Sequence, residues 1–223
     1  MYDYTYLIFA LPAILLAIVS QIWISASYAK NSKIVPGTGL TGQQAGQMIK
    51  DGEGYPVDIE IKGPSLSDHF DPRKDIVSLS TSSQNSSVAD IAVTAHEFGH
   101  VDQKFSNSSL FKVRNALVPI VNIGSRLGYI LIILGFAFSI LQLAELGLVL
   151  FASTTVFALI TVPIEMDATK RGLAFINKYR LIDENNIPNA KSVLNAAAMT
   201  YVASLLTSLL NLLYFASRIK GRN

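Results

Sequence analysis

Apolar positions in this chain fall into four long runs, and a bilayer core is crossed by about 20 apolar residues in helical form. The first run covers residues 5–28, carries no charge, and ends near Trp23 and Tyr28, aromatic residues suited to a membrane interface. It has no basic leader and is longer than the apolar core of a signal peptide, so it reads as an uncleaved anchor, with Pro12 tolerated inside it. The second run covers 116–143, with Arg126 near its entrance, and the third 146–164. Only a few residues around "QLAELG" separate these two, which predicts an antiparallel hairpin. The fourth, 193–216, is rich in the small residues that pack helices in lipid.

Between the first two runs the pattern turns polar, and residues 29–115 read as an aqueous domain. Thr41 followed by Gln44 fits a capping box, with Ala45, Met48 and Ile49 sharing one helical face. "VDIEI" and "DIVSLS" alternate as half-buried strands do. The Ser-rich "TSSQNSS" reads as a solvent-facing turn, after which Ser87 is placed to cap a helix from Val88 to about Lys104. A second aqueous segment is expected at 165–192. The fold class that follows is a mainly α membrane protein of about four transmembrane helices, with a small α+β domain between the first and second.

Composition agrees: 50% hydrophobic residues and 15% charged, with a mean hydropathy of +0.38, describe a membrane protein. The net charge of +2 and the lack of any Lys/Arg-rich block leave no footprint for nucleic acid. With no cysteine, any metal must sit on His, Asp or Glu. Two of the three histidines, His96 and His100, lie four apart in "AHEFGHVDQ". On a helix that spacing sets both imidazoles on one face, within reach of a shared zinc. Glu97, about 100° further round the axis, can reach a water on that metal and take its proton. Gly99 would let a neighbouring segment come close.

A catalytic zinc takes three protein ligands, so a third must come from elsewhere. Asp102 is on the wrong side of the same helix, Glu145 sits in the hairpin turn, and Asp183 and Glu184 lie in a loop. Glu165 and Asp167 remain, at the end of the third run. Small residues Ala168, Thr169 and Gly172 share the face of Glu165 and allow close packing, whereas Asp167 shares its side with Lys170 and Arg171. Glu165 is therefore the expected ligand, and Asp167 a candidate to support it from behind. His69, in "SDHFDP", either assists the reaction or orders a turn with Asp68 and Asp71. The strand around Ile76 to Ser80 is expected to offer an edge to an extended substrate.

"LSDHFDPRKDIVSLS", "VTAHEFGHVDQ", "LVPIVNIGSRLG", "VPIEMDATKRGL" and "AKSVLNAAAMTYVA" together resemble the YugP-like membrane zinc metallopeptidases of bacteria, from about Gly39 to Ala203. The resemblance implies a zinc endopeptidase of the HExxH-plus-Glu type, related in plan to the HtpX and Ste24 membrane proteases. In those relatives a Glu-x-x-Ala-Asp segment supplies the third ligand. "EMDAT" matches it at Glu165 and Ala168 and departs at Thr169, which leaves the partner behind the ligands open.

Together these readings predict a zinc-dependent hydrolase acting on protein or peptide substrates. Its metal ligands would be His96, His100 and Glu165, with Glu97 as general base. A proteolytically inactive scaffold or chaperone is the competing reading, and a transporter ranks below both. Asp90, Asp102 and Lys104 around the motif place the site outside the lipid. Basic residues flanking the runs on the histidine side, including Lys30, Lys112, Arg114 and Lys170, point to the cytoplasm, and the resemblance implies a bacterial plasma membrane. Four full crossings would leave Arg218, Lys220 and Arg222 outside, so either the fourth run does not cross fully or the tail is an exception to the rule; the N-terminal tail holds only Asp3.

Overall fold

The structure is a computed structural model that describes residues 4–221, so Asp3 and Arg222 lie outside the described residues. Six helices and three short strands follow one another as α1 (Tyr4–Asn31), α2 (Gly42–Glu53), β1 (Asp58–Ile61), β2 (His69–Asp71), β3 (Ile76–Leu79), α3 (Val88–Phe105), α4 (Ser109–Ala137), α5 (Leu141–Lys178) and α6 (Ile187–Lys220). Four of them, α1, α4, α5 and α6, are long and apolar enough to cross a membrane. The chain divides into two compact units, one of residues 1–21, 112–163 and 200–223, the other of 22–111 and 164–199.

The second unit is built around α3. Ser87 caps it, its hydroxyl accepting the N–H of Asp90 at 3.1 Å. Fourteen of its 18 residues are buried, so it is a core helix wrapped on all sides rather than a surface helix with one apolar stripe. The start of α2 follows its sequence: Thr41 Oγ1 accepts from Gln44 N–H at 3.1 Å while Gln44 Oε1 accepts from Thr41 N–H at 3.0 Å. Gly54, at φ 67°, closes its other end in the left-handed conformation. Ile49, Val77, Leu79, Ile91, Phe98, Ile176 and Leu181 form the core of this unit, none more than 1% exposed.

The sheet departs from expectation. Its order is β1-β3-β2, with β1 parallel and β2 antiparallel to β3. The strand around Ile76 is therefore central and has no free edge for a substrate. The third strand, which periodicity did not mark, is only three residues long, too short to show an alternation. Nor is the Ser-rich run wholly solvent-facing: Ser80, Ser83 and Ser87 are each 1% exposed. Ser80 and Ser87 spend their hydroxyls on Ser82 and Asp90, which permits their burial, whereas the buried Ser83 hydroxyl has no hydrogen-bond partner.

In the first unit, α4 and α5 are joined by a turn at residues 138–140, not at "QLAELG", and Glu145 lies inside α5. The turn is closed by backbone bonds, Phe138 N to Leu134 O and Ile140 N to Gly135 O, both 2.9 Å. Ser139 adopts φ 57°. In an apolar setting a turn satisfied by its own backbone needs no polar side chains, which is why polarity misplaced it. Apolar runs and helices also differ in extent, since α5 continues through Glu165 to Lys178 and α6 begins at Ile187. Glycines bring α4 and α5 together: a Cβ at Gly128 would lie 2.7 Å from the carbonyl oxygen of Gly147. The outward positions of this unit, Ile8, Ile123 and Val149 among them, are exposed and apolar.

Candidate metal centre

His96 and His100 leave the same face of α3, their ring centroids 4.9 Å apart and nearly perpendicular. Opposite them stands Glu165, on the second-unit part of α5 and 1% exposed. Its Oε2 lies 3.3 Å from Nε2 of His96 and 3.3 Å from Nε2 of His100. Backbone contact between the two helices makes this reach possible. A Cβ at Gly99 would fall 2.3 Å from the carbonyl oxygen of Ala168, and one at Gly172 would fall 2.9 Å from that of Ala95. Only a residue without a side chain fits at either place. The small face read from Ala168, Thr169 and Gly172 is the face that packs.

The three side chains fit a zinc ion. Ligands held at about 2.0–2.1 Å around a tetrahedral centre stand roughly 3.3–3.4 Å from one another, which matches both imidazole–carboxylate separations. All three donor atoms lie within 4.8 Å of one another. Glu165 Oε2 is buried and, despite two imidazoles at 3.3 Å, receives no hydrogen bond of acceptable geometry. A buried carboxylate oxygen facing two ring nitrogens without a proton aimed at it is costly unless a cation joins them. Among the described residues, this trio is the group of His, Asp and Glu able to hold a metal ion.

Behind the trio sits a residue that the sequence did not single out. Gln103, 1% exposed, meets Nδ1 of His100 with its Oε1 at 2.9 Å. Its Nε2 donates to the carbonyl of Ile164 at 2.8 Å and to Asp167 at 2.9 Å. Because Oε1 can only accept, Nδ1 of His100 carries the proton and Nε2 presents a lone pair toward Glu165. One carboxamide thus fixes a ring and ties it to the backbone next to Glu165. His96 has a weaker support, Thr169 Oγ1 at 3.4 Å from its Nδ1.

The rejected acids are occupied elsewhere. Asp102 accepts from Arg171 at 2.5 Å and from Tyr55 at 2.7 Å, and Arg171 also holds Asp167 at 2.7 Å. Asp167 therefore touches Gln103 rather than either histidine. Asp183 packs against Gly37, where a Cβ would collide with its carboxylate. His69 is exposed on the edge strand β2 and meets the Ser67 carbonyl at 2.9 Å, a turn contact, and stands outside the trio. Its expected partners are otherwise engaged, Asp71 by Arg73 N–H and Asp68 by Ser80 N–H.

Electrostatics single out Glu97, which is buried beside the trio. Burial pushes its carboxyl above the usual carboxylate range; His96 and His100 pull it back, while Glu165 and Asp68 add to the rise. Burial likewise raises Asp68. For His100 burial opposes the charge, yet without a cation the Glu165 carboxylate prevails and holds the imidazole above its ordinary value, so Nε2 offers its lone pair once a metal takes the proton's place.

Residues 6–220 match the family described as "Putative neutral zinc metallopeptidase". The chain is 33% identical over 212 residues, 94% of either chain, to the "Putative membrane protease YugP" of Bacillus subtilis (strain 168). No solved structure matches. On a match that runs almost end to end and includes both sides of the His–Glu cluster, the chain belongs to this family of zinc metallopeptidases.

Proposed function

We propose that the protein is a membrane-embedded zinc endopeptidase. It hydrolyses peptide bonds of protein substrates with Glu97 as general base and with His96, His100 and Glu165 as the zinc ligands. The observation that carries this is the convergence of two imidazole nitrogens and one buried, hydrogen-bond-free carboxylate oxygen at 3.3 Å. Zinc so held is a Lewis acid, able to polarise a carbonyl and to bring the pKa of a bound water to about 7. The protein's own groups do the rest. Gln103 and Thr169 orient the rings, and Gly99 and Gly172 set the helix spacing that lets Glu165 meet them. Glu97, its carboxyl raised above the usual range by burial, accepts the proton of the attacking water and returns it to the leaving amine.

In this reading residues 29–115 form a small zincin-like α+β domain inserted between the first two membrane helices, and the aqueous segment 165–192 adds the third ligand. The site faces the cytoplasm of a bacterial plasma membrane, on the side where Lys30, Lys112, Arg114 and Lys170 flank the apolar runs. Cleavage of an unfolded protein such as casein, with zinc content measured alongside, tests the proposal. Wild type should cleave, and Glu97→Gln should lose roughly 10²–10⁴-fold in rate while keeping its zinc. Zinc-free protein with no cleavage would favour the scaffold reading, and cleavage indifferent to Glu97→Gln would overturn Glu97 as the general base.

A further inference from the structure

The first unit holds a cavity that the proposed chemistry does not use. It lies among α1, α5 and α6, measures about 410 Å³, and eight of its eleven lining residues carry a hydroxyl or a carboxamide. No lining residue is charged. In hydrocarbon such polar side chains are expensive and face a bundle interior or a water-filled space.

The hydrogen bonds narrow the ligand chemistry. Ser20, Thr154, Ser204 and Ser208 donate to carbonyls of their own helices, those of Ala17, Phe151, Thr200 and Leu205, at 2.7 to 3.0 Å. With their protons spent, these oxygens offer lone pairs only. The carboxamides of Gln21 and Asn211 share the cavity. Hydroxyl acceptors and carboxamides that both donate and accept, without an ionised group, suit an uncharged polar molecule. A phosphate headgroup would find no cation there, and a metal ion no carboxylate. The volume has room for on the order of ten water molecules.

We propose that this cavity is a water-filled site within the membrane-spanning unit, selective for uncharged polar molecules over ions. The inference rests on the four long helices crossing the bilayer, and it is independent of the peptidase reading.

The chain contains no cysteine, so single-cysteine variants report without background. Thr154→Cys and Ser208→Cys, near in size to the originals and half-buried, probe the cavity; Ile123→Cys and Val149→Cys, at 63% and 71% exposed positions, probe the outer surface. Full-length protein in liposomes is treated with hydroxyethyl methanethiosulfonate, which is uncharged, or with its trimethylammonium analogue. A thiol ionises and reacts only where water reaches it, so the cavity cysteines should react with the uncharged reagent about tenfold faster than the outer ones. Relative to a free thiol in solution, the cationic reagent should lag the uncharged one about tenfold at the cavity. Slow reaction at all four positions overturns the hydrated cavity, and equal rates for both reagents overturn its selectivity. Rapid reaction at Ile123→Cys and Val149→Cys instead overturns the bilayer placement on which the inference stands. Two cavity positions keep the test decisive if one variant fails to fold.

Discussion

Both units bring helices to backbone contact through glycine, yet they put that contact to different ends. In the first, Gly128 and Gly147 seat α4 against α5, each meeting backbone atoms of the other helix. In the second, Gly99 and Gly172 seat α3 against α5, and the same closeness delivers Glu165 to two imidazoles. Close approach of small residues is a general device for packing apolar helices. It becomes a metal centre only where one helix carries histidines at four-residue spacing and its neighbour carries a carboxylate at the matching height.

Adding a methyl group at each crossing breaks the comparison most sharply. Gly99→Ala and Gly128→Ala should both lower stability, by about 1–3 kcal/mol from overpacking, read as a shift in thermal unfolding. Zinc affinity should fall with Gly99→Ala alone. Equal losses of zinc in both variants would mean that the spacing of α3 and α5 does not set the site.

Gln103 sharpens the contrast within the second unit. Gln103→Leu removes the acceptor for His100 and the donors to Ile164 and Asp167, and should cost about 10–100-fold in zinc affinity, measured by competition with a chelator. Thr169→Val should do least. Its contact with His96 is long, at 3.4 Å, so a loss of under about 1 kcal/mol is expected. If Thr169→Val instead matched Gln103→Leu, the two histidines would be held by equal supports.

Much of the second unit could be read from the residues. Ser87 and Thr41 cap helices because their side chains act on the backbone within three residues, a distance that sequence carries directly. Glu165 could be chosen over its rivals because Ala168 and Gly172 advertise a face that tolerates backbone contact. What escaped was of longer range. Gln103 is a ligand to nothing, and its value appears only once α5 lies beside it. β3 is central because β2 returns to pair with it, and strand order is not written in an alternation pattern. The turn at residues 138–140 was hidden because it is closed by backbone groups, while polarity pointed a few residues further on.

The account stands or falls on whether Glu165 completes a three-residue zinc shell. X-ray absorption at the zinc edge, on full-length wild type and on Glu165→Ala, addresses this directly. Wild type should hold one zinc per chain, bound by two imidazoles and by oxygen at about 2.0–2.2 Å; Glu165→Ala should lose the metal or show a changed shell. One zinc per chain in Glu165→Ala, with the wild-type spectrum, would contradict the account.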